Sequence, residues 1–122
     1  MGDRTTQRKG DIGVSQAIAT FTKMGWDVSL PLTESAAYDL IVDVDDVLYK
    51  VQVRYTTTKD VGLRRIHSNS KGYVVKHPSQ TSYDWLYVLK SNGEEFLIKD
   101  SWYGKSTIRP KESDRIKMEA LP

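Results

Sequence analysis

Read from the N-terminus, the apolar positions change period. Val14, Ala17, Ile18, Phe21 and Met24 recur at three- and four-residue intervals, the spacing of one helix face, and predict a helix from Asp11 closed by Gly25. Ahead of it, Met1 to Lys9 is polar and reads as a frayed terminus or a basic arm. From Trp26 the period becomes two. Trp26-Asp27-Val28-Ser29-Leu30 predicts a strand that ends at Pro31, and Thr33 to Ala37 a polar loop. Leu40 to Val44 and Leu48 to Tyr55 then predict two strands reversed at Asp45-Asp46. Tyr73 to Pro78 is a candidate short strand. Tyr83 to Leu89, apolar almost throughout, is a strand buried on both faces. Ser91-Asn92-Gly93 turns it back into Glu95 to Ile98, and Pro110 opens a short helix toward Met118. A leading helix followed by strands makes the chain α/β. At 122 residues, with no repeat and no low-complexity tract, it reads as one domain over 1–122.

Composition removes several possibilities. With no cysteine, neither disulfides nor thiolate metal sites are available. The two histidines lack the spacing of a zinc site, and neither a glycine-rich phosphate loop nor a nucleophile elbow is present. No apolar run is long enough to span a bilayer and the first residues are polar, so no membrane association is expected and the location is expected to be intracellular, cytoplasmic or nucleoid-associated. A net charge of +2 by itself identifies no partner, and the distribution of charge matters more.

The period-two strand after Asp46 places Gln52 and Arg54 on one face, one step apart, with Asp39 entering the neighbouring strand. A carboxylate and an amide oxygen suit a hard divalent cation, and a fixed cation beside them suits a phosphate oxygen. Lys9-Gly10-Asp11-Ile12-Gly13, Tyr38-Asp39-Leu40-Ile41-Val42-Asp43 and Val51-Gln52-Val53-Arg54 together resemble the PD-(D/E)XK nuclease superfamily. The likeness is to its branch of intron-encoded homing endonucleases and resolvase-like enzymes with a Gln-X-Lys site. It covers the first half well and the second half in strand pattern.

The resemblance implies a restriction-endonuclease-like core, a mixed β-sheet flanked by helices with the N-terminal helix first. It implies a metal-dependent DNA endonuclease in which Asp39, the Gln52 side chain and the Val53 carbonyl hold Mg²⁺, with Mn²⁺ able to substitute. Arg54 stands where the family has lysine, keeping the charge but unable to act as a base. Val14 stands where many relatives place a metal-binding glutamate. Gly13 is expected to let the helix approach the hairpin. Double-stranded DNA is the implied partner, and a homodimer or homotetramer the implied assembly. The alternative is a catalytically weakened nuclease-fold module that binds DNA or assembles with other chains.

Charge in the middle of the chain fits that partner. From Thr56 to His77, Lys59, Arg64, Arg65, Lys71 and Lys76 face a single acid, Asp60, with hydroxyls and amides between them. With Arg8 and Lys9 they are the expected DNA contacts, and Lys105 and Arg109 are secondary ones. Asp84 enters an apolar strand and is read as a hydrogen-bonding acid, not as a third ligand.

Overall fold

In a computed structural model of the chain, residues 2–63, 65–69, 72–76, 82–100 and 107–117 are described, the backbone alone for 2–4, 65–69 and 72–76. A helix, α1 (Gly2–Lys23), is followed by β1 (Asp27–Ser29), β2 (Leu40–Val44) and β3 (Val47–Thr56). Then come β4 (Val61–Gly62), β5 (Arg65–Asn69), β6 (Gly72–Lys76), β7 (Trp85–Lys90), β8 (Glu95–Ile98) and β9 (Thr107–Ile108).

Five strands form one sheet in the order β1-β2-β3-β7-β8. β3 lies at its centre and is its longest strand, antiparallel to β2 (Val42 opposite Tyr49) and parallel to β7 (Arg54 opposite Val88), so the sheet is mixed. The chain crosses from β3 to β7 through β4 and the β5–β6 hairpin, in which Arg65 is opposite Lys76.

The β2–β3 reversal is a two-residue loop with Asp45 and Asp46 both at positive φ (52° and 70°), which matches the twist of the strands it joins. The Asp43 carboxylate makes that backbone tolerable by accepting the Asp46 N–H at 2.9 Å.

Alternation along the strands separates two cores. Ala17 and Phe21 of α1 pack on Leu40, Val42, Val51, Val53, Trp85, Tyr87 and Leu89. On the other face Leu86, Val88, Phe96 and Ile98 are covered by Val61, Leu63, Tyr83 and Ile108. That division explains the unbroken apolar run of β7, whose odd residues meet α1 and whose even residues meet the second core. Among the described residues one α-helix covers one face of the sheet, while the other is covered by loops and the β4–β9 ribbon.

Two expectations are corrected. The helix begins at Gly2, nine residues before Asp11, so the polar N-terminal segment is helical. Exposed residues from Thr5 to Ile12 show why no apolar face marked it. After Pro110 the described residues form a 3₁₀ turn, Glu112–Asp114, and then a bridge between Arg115 and Phe96, while Met118 lies outside them. Backbone bonding to β8 takes over there, with the Ile116 N–H donating to the Glu95 carbonyl at 2.8 Å.

Gly25 closes α1 as expected. Its φ is +86°, and the Trp26 N–H reaches back to the Phe21 carbonyl at 3.1 Å. Gly13 permits the close approach that the sequence suggested, since a Cβ there would stand 3.0 Å from Val53 Cγ1.

Candidate active site

β2 starts at Leu40, so beyond that point the β2-facing backbone groups of β3 lose their ladder partners. The Asp39 N–H still reaches the Val51 carbonyl at 2.9 Å. Two residues further along, the Val53 N–H turns to a side chain and donates to Asp39 Oδ2 at 2.8 Å. The same oxygen accepts Gln52 Nε2 at 2.7 Å. Asp39 is therefore fixed by backbone and amide together, half-buried at the end of the sheet.

Gln52 is 5 % exposed, and its buried amide requires the partner it has. Arg54, on the same face, donates through Nη1 to the Val53 carbonyl at 3.0 Å and through Nε to the Gly62 carbonyl at 3.2 Å. The guanidinium thus caps the free edge of β3 and anchors β4.

Asp39, Gln52, Val53 and Arg54 come together as the sequence reading required. The Val53 carbonyl, expected to face a metal, already receives a charged hydrogen bond. Asp39 Oδ1 carries no hydrogen bond among the described residues. The donor set consists only of oxygens with one carboxylate, chemistry that fits a hard cation held chiefly by Asp39. No group of three or more His, Cys, Asp or Glu residues is placed to hold a metal among the described residues. Val14 packs half-buried against the α1-side core and contributes no ligand.

Asp84 is a hydrogen-bonding acid, as read. Its Oδ2 accepts the Lys50 N–H at 2.9 Å, while its own N–H donates to the Lys50 carbonyl at 2.8 Å, which sets the β3–β7 register just before the site. The Lys50 ammonium lies 5.8 Å from the centre of the Tyr38 ring, beside Asp39.

Tyr83 was not singled out by its sequence. It is 3 % exposed, and its hydroxyl has no hydrogen-bond partner among the described residues. Burial raises its phenol pKa above the ordinary value, the nearby Arg54 charge pulls it down, and Asp100 pushes it up. No pattern in the chain distinguishes it from the core aromatics around it.

Of the expected DNA contacts, Arg8 and Lys9 are exposed on α1, in the part that extends beyond Gly13 and its contact with β3. Lys59 is exposed in the loop after β3. Arg65 and Lys76 are cross-strand partners in the β5–β6 hairpin, with their backbone alone described. Arg64, Lys71 and Lys105 lie outside the described residues. Arg109 is paired with Asp60 at 2.9 Å.

The sheet thus brings an Asp at the entry to β2 beside a Gln-X-Arg triplet on β3. The chain belongs to the PD-(D/E)XK endonuclease family, whose model matches residues 4–115. Among solved structures it is similar to a bacterial homing endonuclease, I-Ssp6803I, with 27% sequence identity and a TM-score of 0.74 over 94% of this chain and 84% of that one. No curated protein matches it.

Proposed function

We propose that the protein is a divalent-metal-dependent endonuclease that hydrolyses phosphodiester bonds of double-stranded DNA, of the homing or resolvase-like kind. The observation that carries this reading is the convergence of Asp39, Gln52 and Arg54 at the open end of the β2–β3 hairpin, within 3.0 Å hydrogen bonds of the Val53 backbone or of each other.

Asp39, the Gln52 amide oxygen and the Val53 carbonyl are the residues that would hold Mg²⁺, with Mn²⁺ as a substitute. Such an ion, when bound, would polarise the scissile phosphate and lower the pKa of a bound water. Arg54 supplies fixed positive charge for the phosphate as negative charge builds on its oxygens. Its planar fork suits two phosphate oxygens at once, and it remains protonated throughout, so it stabilises charge and does not remove a proton. The Val53 N–H and the Gln52 amide keep the Asp39 carboxylate oriented. Arg8, Lys9, Lys59, Arg64, Arg65, Lys71 and Lys76 form the proposed DNA-facing set, reached by an assembly of two or four chains.

A second reading has its own support. Arg54 already sits on the Val53 carbonyl, and Val14 supplies no acid, so a weakened module that binds DNA or assembles without cutting it is the alternative. Incubation of supercoiled plasmid with the protein in Mg²⁺ and in Mn²⁺ separates the two. The enzyme gives nicked or linear product that chelation stops and added metal restores. Retarded but intact plasmid across both metals would establish the module instead.

A further inference from the structure

Past Arg54 the same sheet face continues into a polar recess of about 390 Å³ lined by Thr57, Thr58, Lys59, Lys90, Ser91 and Asn92. It lies where the parallel strands β3 and β7 end side by side, with Thr56 opposite Lys90. Lys90 stands on the face of β7 that carries Leu86 and Val88, the face shared by Gln52 and Arg54, and its ammonium rests 5.0 Å from the centre of the Phe96 ring.

The loop that supplies Lys59 is held in place. Thr56, almost fully buried, accepts the Thr58 N–H at 3.1 Å through its hydroxyl, and the Thr58 hydroxyl donates to the Asp60 carbonyl at 2.8 Å. The Ser91 N–H donates to the Thr56 carbonyl at 2.9 Å, tying the turn to the loop. Of two acids nearby, Asp60 pairs with Arg109, whereas Glu94 pairs at 3.3 Å with Arg115, which also meets Glu112 at 3.6 Å, and the Lys90 charge acts on Glu94 as well. Asn92 spends one amide N–H on Glu94 at 2.8 Å and retains a second.

We propose that this recess is a phosphate subsite for the DNA backbone, in which Lys59 and Lys90 hold one phosphate away from the scissile one. The proposal rests on the nuclease reading and extends it to a part of the chain, the β7–β8 turn, that reads in sequence only as a hairpin reversal. Spacing favours it. Lys90 is two residues past the partner of Arg54, roughly 7 Å along the strand and one strand over. The recess therefore stands beyond the register of Arg54, where it would meet a backbone phosphate other than the scissile one. The compact lysine ammoniums and the loop hydroxyls are suited to a phosphate as point charges and donors.

The test is fluorescence anisotropy of a short duplex of mixed sequence, bound by the full chain in Ca²⁺ over a salt series. In K59Q/K90Q, the slope of log affinity against log salt should become shallower by about 0.9, the value of one phosphate contact. K59R/K90R should keep the wild-type slope. Lys23→Gln, in the last turn of α1 near the β1 end that pairs toward the hairpin loop, should leave it unchanged. An unchanged slope in K59Q/K90Q, with wild-type binding intact and the fold checked by circular dichroism, overturns the subsite and leaves the nuclease reading standing. An equal loss in K23Q overturns it as well, because the effect is then one of overall charge. Absence of duplex binding by the wild type overturns both.

Discussion

At Asp39 one carboxylate oxygen accepts both the Gln52 amide and the Val53 N–H, so the residue holds the site together as well as supplying its charge. Asp39→Asn keeps an oxygen for Val53 but removes the only carboxylate of the proposed ligand set. Cleavage is expected to fall by at least about 10²-fold, the scale on which a single preorganised charge-stabilising group acts, with duplex binding retained. Plasmid nicking and gel retardation measured side by side check this, and undiminished nicking would remove Asp39 from the site.

Arg54→Lys is the complementary change. It frees the Gly62 and Val53 carbonyls of a planar fork and restores the family residue, so activity should hold or rise. Complete loss with the fold intact would mean that Arg54 acts through a bidentate grip on phosphate. Period-two spacing puts Gln52 and Arg54 on one face, and the family resemblance joined them to Asp39. The sequence could not disclose that Arg54 bonds to the carbonyl beside it, which depends on where β2 stops. Nor could it mark Tyr83, whose buried hydroxyl, without a partner among the described residues, is a property of packing.

Among the elements, the longer strands that bury a face were legible, whereas the two-residue strands β4 and β9 were too short to show a period although Val61 and Ile108 are buried. The β2–β3 hairpin and β7 showed their periods because alternate residues meet two cores. The first turns of α1 did not, since a helix projecting past the sheet has no core to imprint an apolar stripe. The region after Pro110 follows the bridge to Phe96 rather than any local periodicity.

Attachment of α1 to the sheet includes a polar cluster that no local pattern announces. Gln16 donates to the Thr20 hydroxyl at 3.2 Å, the Thr20 hydroxyl donates to Glu95, and the Tyr87 hydroxyl donates to Glu95 at 2.6 Å. Burial is the main cause that raises the Tyr87 phenol far above its ordinary value of 10.0, with the Glu95 hydrogen bond and charge adding to it. A raised folded-state pKa contributes stability that is fully present below about pH 10 and is lost as pH rises from there toward the folded value. Tyr87→Phe should cost about 2 kcal/mol at neutral pH, the scale of a hydrogen bond to a charged group. It should also flatten the alkaline decline. Urea unfolding of both proteins at neutral pH and above pH 10 checks the pair of effects. A wild type and variant that decline in parallel would show that this phenol is not coupled to folding.

At the scale of the whole molecule, the chain carries the proposed Asp39 site once in 122 residues, and one such site would cut one strand. The two strands of a duplex run antiparallel and are related by local two-fold axes, so a second copy related by a two-fold is placed to cut the other. The proposed homodimer or homotetramer predicts a particular outcome from mixing. Sedimentation of the wild type should show two or four chains. Plasmid cut by the wild type should reach the linear form. When excess Asp39→Asn chain is co-refolded with the wild type, most active assemblies contain one competent site facing one dead one. Nicked circles should then accumulate at the expense of linear product, rising as the dead chain is added while linear product falls more steeply. A mixture that lowers nicked and linear forms in the same proportion would mean that each copy works alone, and a monomer in sedimentation would say so directly.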